Sequence, residues 1–167
     1  MSYVKHREEA PKNLSFAIVT ISDSRTLDTD ESGNTASRIL VSNGYDVIER
    51  VLIPNDAGKI RRKIGELIKD KRVVVIITIG GTGLSRRDLT VETISKVVEK
   101  KINGFGELFR AISYNEIGVS AMLSRAFGGV SSGKIILCLP GSQNAVELAI
   151  RKLILPEIRH IVREARR

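Results

Sequence analysis

Four short apolar runs punctuate the chain, at residues 16–21, 45–52, 73–79 and 135–139. The first, third and fourth are nearly unbroken Val, Ile and Leu, the pattern of parallel strands covered on both faces. The second mixes polar and apolar positions and belongs nearer a sheet edge. Between these runs the spacing turns helical. Ile60, Ile64, Leu67 and Ile68 fall on one face, as do Val91, Ile94, Val97 and Val98, and again Val146, Ala149, Ile150, Leu153 and Ile154. A first helix is expected over about residues 34–43, where Gly44 supplies the C-terminal stop. The order β-α-β-α-β-α-α-β-α predicts an α/β fold with helices on both faces of the sheet. Residues 1–14 carry no such pattern and read as an N-terminal extension, leaving residues 15–167 as a single domain.

Composition narrows the class. A chain of 167 residues has room for one domain with a real core, and 42% hydrophobic with 28% charged residues is ordinary globular composition. The single Cys, Cys138, excludes a disulfide framework and a Cys-rich zinc site. It lies inside an apolar run, where inert core is expected. The longest unbroken apolar stretch, residues 73–77, is far short of the ~20 residues needed to span a bilayer. Residues 1–15 hold no apolar core of a signal peptide, so the expectation is a soluble, cytoplasmic protein without a membrane partner.

The charge changes that picture in one respect. Lys and Arg number 27 against 19 Asp and Glu, a net charge of +8 that suits nucleic acid or a small polyanion such as a nucleotide phosphate. Nucleic-acid binders add exposed aromatics for stacking; this chain has three Tyr, four Phe and no Trp. Its basic residues are dispersed or gathered at residues 159–167, the usual look of solvated helix faces. A basic nucleic-acid-binding module is therefore the least favoured reading.

In open α/β sheets, ligands collect where strands end and helices begin. Four loops occupy such positions. They are Ser22-Asp23-Ser24-Arg25-Thr26, Pro54-Asn55-Asp56, Gly80-Gly81-Thr82-Gly83 followed by Ser85-Arg86-Arg87-Asp88-Leu89-Thr90, and Pro140-Gly141-Ser142-Gln143-Asn144. All are small and polar, suited to phosphate. Three glycines in four residues let Gly80 to Gly83 turn sharply and present several N–H groups to one anion, with the Thr82 hydroxyl as a further donor. Arg86, Arg87 and Asp88 just beyond suit phosphate neutralisation and metal positioning. Simple helix capping competes at Asp88 or Thr90, at Asn55 or Asp56, and at Ser142, where capping and anion binding are compatible. Neither His6 nor His160 lies in such a loop, so a Ser/His/Asp triad or a His-based metal site has little support.

Taken together, Ser22-Asp23-Ser24, Gly80-Gly81-Thr82-Gly83 with Arg87-Asp88, Gly104-Phe105-Gly106-Glu107 and Leu139-Pro140-Gly141-Ser142 resemble the molybdopterin-binding family, and within it the adenylyltransferases of the MoaB/MogA type. Each motif is weak alone; four in the family's order, over about residues 16–156, are specific. The resemblance implies a three-layer α/β/α fold with a mostly parallel sheet, assembled as a homotrimer or hexamer. It also implies molybdenum or tungsten cofactor biosynthesis: a Mg²⁺-dependent reaction of ATP with molybdopterin, giving adenylyl-molybdopterin and pyrophosphate. By similarity Gly80, Gly81, Thr82, Gly83 and Ser142, with Arg87, hold phosphates. Asp88 serves metal and phosphoryl chemistry with Asp56 as a partial partner, and Gly104, Phe105, Gly106 and Glu107 line the pterin pocket. Ser22, Asp23, Ser24, Pro140 and Gly141 complete the set. One position departs from the family pattern: where an acid usually follows Pro54, this chain has Asn55, which bears on catalysis rather than on binding. A non-catalytic molybdopterin- or nucleotide-binding homologue is the second reading.

Overall fold

The computed structural model describes residues 13–167. The chain runs β1 (Ser15–Ile21), α1 (Glu31–Ser42), β2 (Asp46–Ile53), α2 (Ala57–Lys69), β3 (Val75–Ile79), α3 (Thr90–Ile94), β4 (Lys100–Ile102), α4 (Asn103–Ile117), a 3₁₀ segment (Gly118–Leu123), β5 (Phe127–Ser131), β6 (Lys134–Leu139), α5 (Gln143–Ala149), a π turn (Ile150–Ile154) and α6 (Leu155–Ala165). The expected extension lies outside the described residues up to residue 12; Leu14 is already buried in the core.

The six strands form one sheet in the order β2-β1-β3-β6-β5-β4. β2, β1, β3 and β6 are parallel, while β5 and β4 run antiparallel at one edge. This is the expected mostly parallel sheet in a three-layer α/β/α arrangement. On one face Ile39 and Leu40 of α1, Phe105 and Phe109 of α4, Val146 of α5 and Ile158 and Val162 of α6 pack with Phe16, Ile18, Ile77 and Leu137. On the other, Ile60, Ile64 and Leu67 of α2 and Ile94 of α3 pack with Ala17, Val19, Ile76 and Cys138. Alternate side chains of the parallel strands thus feed two cores, which is why their sequences are apolar throughout. The mixed strand β2 takes the outer edge, as its pattern indicated.

The structure corrects several boundaries. α1 begins three residues earlier than residue 34, because the Asp30 carboxylate accepts from Gly33 N at 2.9 Å and caps the helix there. Gly44, at φ +80°, ends it as expected. The predicted helix through Val98 stops at Ile94; Val97 and Val98 belong to an irregular turn that packs on the second core. Two strands escaped the pattern altogether. β4 is three residues, two of them lysines, and β5 contains Gly128 and Gly129. These glycines mark close approach: a Cβ on Gly129 would lie 2.5 Å from Val98 Cγ1. Among the described residues no helix is long and apolar enough to cross a membrane.

Candidate functional site

Because β1, β2, β3 and β6 are parallel, the four loops after Ile21, Ile53, Ile79 and Leu139 emerge at one sheet edge. Hydrogen bonds join two of them and brace the glycine turn. Gly80 N donates to Leu139 O at 3.0 Å, Thr90 N donates to Gly81 O at 3.0 Å, and the Thr90 hydroxyl donates to Gly80 O at 2.8 Å. Gly80 holds φ +100°, and a Cβ there would lie 2.4 Å from Ile21 O, so only glycine fits between β1 and β3. Gly83 is constrained by approach instead: its Cβ would meet Asp88 Oδ2 at 2.6 Å. The carboxylate therefore lies directly over the glycine turn, where Asp88 Oδ2 also accepts from Ser85 N at 3.0 Å.

These loops floor a cleft of about 510 Å³. Ser22, Ser24 and Arg25 after β1, Gly80 to Gly83 with Asp88 after β3, and Pro140 to Ser142 after β6 line one wall. The opposite wall comes from α4, the 3₁₀ segment and the residue after it: Phe109, Ser113, Ile117, Ser120, Leu123 and Ser124. Arg25 is the one cation and Asp88 the one carboxylate among the lining residues. Arg25 is fixed by its Nη1, which donates to Gly141 O at 3.1 Å and to Ser32 Oγ at 3.3 Å; Ser32 Oγ itself donates to Gly141 O at 2.7 Å. Such a cleft offers backbone N–H groups, hydroxyls and one guanidinium to phosphate, and an apolar wall with hydroxyls to a flat polar heterocycle.

Ten of the residues singled out from the sequence thus meet in the cleft: Ser22, Ser24, Gly80, Gly81, Thr82, Gly83, Asp88, Pro140, Gly141 and Ser142. Asp88 does not cap α3, whose first turn has no side-chain cap. Ser142 both caps α5, accepting from Ala145 N at 3.3 Å, and lines the cleft. The others stand apart. Asp23 Oδ1 accepts from Asn55 N at 2.8 Å, which ties the first loop to the second rather than placing the acid in the cleft. Asp56 caps α2, accepting from Lys59 N at 2.8 Å, and is exposed outside the cleft. Arg87 is exposed, with its backbone N turned to Ser85 Oγ. Gly104 to Glu107 form the first turn of α4, where Phe105 enters the core and Gly106 and Glu107 line a neighbouring cleft of about 450 Å³. The two clefts share Ser124. Asn55 sits behind the glycine turn, its Oδ1 accepting from Leu89 N at 3.2 Å.

The sequence reading missed the second wall. Ser113 is only 4% exposed, and it lines the cleft from α4. Its signal in the sequence was slight: a serine four residues after Phe109, on the same helical face. Cys138 has no such role, being fully buried, with its thiol pushed up to about 12 by desolvation.

Comparisons with known proteins bear on the family. Residues 17–160 match the family model of a probable molybdopterin binding domain. Molybdenum cofactor biosynthesis protein B of Bacillus cereus is 46% identical over 100% of this chain and 99% of its own length; its Bacillus subtilis counterpart is 38% identical over the same shares. Among solved structures, a molybdenum cofactor biosynthesis protein B superposes with a TM-score of 0.90 at 46% identity, covering 95% of this chain and 99% of its own. The tungsten cofactor synthesizing protein MoaB from Pyrococcus furiosus does so at 0.85 and 35%, covering 95% of this chain and 100% of its own. The chain therefore belongs to the molybdopterin-binding domain family of molybdenum cofactor biosynthesis proteins.

Proposed function

We propose that the protein adenylylates molybdopterin. A terminal phosphate oxygen of molybdopterin attacks the α-phosphorus of ATP, a new P–O bond forms, the bond from the α-phosphorus to the bridging oxygen breaks, and pyrophosphate leaves. The observation that carries this reading is the joining of a glycine phosphate turn, Asp88 and a hydroxyl-lined apolar wall in one cleft large enough for both reactants' reacting ends. No protein nucleophile is needed, and the work is positioning and charge stabilisation. Gly81 to Gly83 and Ser142 hold phosphate oxygens, Arg25 offsets their charge, and Ser113, Ser120 and Ser124 meet polar edges of the pterin. Arg87, outside the cleft, acts on the part of ATP that projects from it, while Asp56, engaged in capping α2, plays a minor part.

The chemistry of the family calls for Mg²⁺, and the donor set fits it. Among the described residues no three or more His, Cys, Asp or Glu gather to form a protein-built metal cage. One carboxylate at the cleft, Asp88, matches the way Mg²⁺ is held by one or two acids plus substrate phosphates. When bound there, the ion neutralises phosphate charge.

The same region supports a homo-oligomer, a trimer or hexamer. Tyr114, Ile117, Val119, Met122 and Leu123 are all more than half exposed on consecutive turns, apolar surface that a partner copy would cover. The non-catalytic reading rests on Asn55, whose amide replaces an acid and is engaged behind the turn. One assay separates the two. Protein incubated with molybdopterin, Mg²⁺ and ATP is expected to yield adenylylated pterin and pyrophosphate in equal amounts. Tight pterin binding without either product would leave the non-catalytic reading.

A further inference from the structure

We propose that Arg125 is a positioning residue that clamps the two walls of the cleft together and thereby fixes Asp88 over the glycine turn. The inference rests on the adenylyl-transfer reading of the cleft. Arg125 follows the 3₁₀ segment, directly after Ser124, which lines the cleft from the apolar wall. Its guanidinium crosses to the phosphate wall. Nε donates to Thr82 O at 3.0 Å, and Nη2 reaches Asp88 O at 3.5 Å. Nη1 and Nη2 also meet the two carboxylate oxygens of Glu92 on α3, a paired-fork arrangement that fixes the plane of the guanidinium. The strand of backbone that bears Arg125 is itself held: Arg110 Nη1, from α4, donates to Ser124 O and Ala126 O, both at 3.4 Å.

Arg125 thereby joins three pieces, the segment after Leu123, the glycine turn and α3, and Arg110 ties that segment to α4. Thr82 is 5% exposed and Asp88 follows an exposed loop at residues 84–87, so little else restrains that loop from the apolar side. The Arg125 side chain is 27% exposed and that of Glu92 is 49% exposed. Ion pairs at such exposure contribute little to global stability. The contact is therefore expected to matter for the placement of Asp88 far more than for folding. Lysine cannot replace it, because a single ammonium cannot reach two backbone carbonyls and a carboxylate in the geometry of the guanidinium fork.

The test compares the parent with Arg125→Gln, Arg125→Lys and Glu92→Gln in three measurements. Thermal midpoints are expected to stay close to the parent's. In adenylylation assays, Arg125→Gln is expected to lower kcat by roughly 10- to 100-fold with KM for ATP within about threefold, the signature of misplacement rather than of a lost ligand contact. Arg125→Lys should recover little, and Glu92→Gln should lower kcat by only a few-fold. Hydrogen exchange at amides of residues 82–90 should accelerate in Arg125→Gln while the amides of β3 and β6 stay protected. Unchanged kcat, or a loss confined to KM for ATP, would overturn the proposal. If the parent itself forms no product, the adenylyl-transfer reading fails separately, and the exchange measurement still decides: unaltered exchange at residues 82–90 refutes the clamp. Should Arg125→Gln not fold, Glu92→Gln carries the same two readouts.

Discussion

The parallel half of the sheet and its antiparallel edge are built on opposite terms. Every residue of β3 and β6 is buried, and β1 is buried beyond its first position. β4 is three residues long with two exposed lysines, and β5 owes its place to glycines that let Val98 and Phe105 pack flat against it. Next to that edge, α4 and the 3₁₀ segment leave Val119 at 71% and Met122 at 76% exposure. The cleft lies between the two halves. One wall is rigid, because its loops are pinned by ladder hydrogen bonds at the ends of buried strands. The other is a helix face and a 3₁₀ turn tied to the first by few polar contacts, Arg125 among them. A stiff phosphate floor and a more adaptable wall for the organic moiety is a sensible division of labour for joining two substrates.

The largest expected effect tests whether chemistry belongs to the parallel half. Asp88→Asn keeps an oxygen able to accept from Ser85 N, so the fold should hold and pterin should still bind. Removing its charge should cost ~10²-fold or more in adenylylation, the scale of losing one preorganised electrostatic group. Enzyme assays beside a thermal melt decide this. A melted variant whose folded remnant turns over normally would demote Asp88 to a structural role.

Assembly tests the other half. Met122→Asp places a carboxylate in the middle of the exposed apolar patch, and light scattering at micromolar concentration should report dissociation toward the single-chain mass of 18.4 kDa. A parent already of that mass would remove the argument for an oligomer, and the patch would then be an exposed wall of the cleft alone.

A stability measurement sharpens the contrast. Lys134, at the start of β6, is 8% exposed and sends its ammonium into the end of α2, where it donates to Leu67 O at 3.2 Å, Val73 O at 2.8 Å and Asp70 O. Desolvation pulls its pKa below the usual lysine range, yet three carbonyls hold the charged form. Lys134→Met keeps the stem and strands those carbonyls, and should cost about 2 kcal/mol. That corresponds to a fall of roughly 4–8 °C in Tm for a chain of this size. Activity per folded molecule should not change, since the site is at the opposite end of the strands. A loss of activity at full stability would contradict the division drawn between scaffold and site.

How far the sequence could be read follows the same division. Strands buried on both faces announce themselves as apolar runs, and the loops at their ends were found because parallel topology sends them to one edge. The antiparallel strands left no run to find: Lys100 and Lys101 face solvent, and Gly128 and Gly129 look like a turn until Val98 is seen lying on them. Ser113 and Arg125 were missed for a related reason. Arg125 acts through partners at residues 82–92, and Ser113 through the cleft it faces, and no local pattern encodes either. Gly104 to Glu107 were carried over by resemblance, and the structure places Gly106 and Glu107 on the neighbouring cleft and Phe105 in the core.

The smallest effects are expected in the loop between β2 and α2, where the family pattern and this chain part. Asp56 is spent on capping α2, so Asp56→Asn, which retains the accepting oxygen toward Lys59 N, should reduce adenylylation no more than a few-fold and leave Tm within a degree or two. Asn55→Asp restores the usual acid. Its oxygen can still accept from Leu89 N, so the bridge between loops survives. The new charge would lie near Asp23, whose Oδ1 accepts from the backbone N of the same residue. It also approaches the glycine turn, since a Cβ on Gly81 would come within 3.1 Å of Asn55 Oδ1. Two acids on one side of a phosphate site repel substrate unless a cation lies between them, so the effect of Asn55→Asp should depend on Mg²⁺. At saturating Mg²⁺ the rate is expected to stay level or rise modestly; at limiting Mg²⁺ the variant should gain relative to the parent, because a second acid tightens the ion's hold. A Mg²⁺ titration of both proteins measures the difference. Identical titrations would mean that Asn55 only braces the turn, and that Asp88 with the substrate phosphates sets the affinity for the ion by itself.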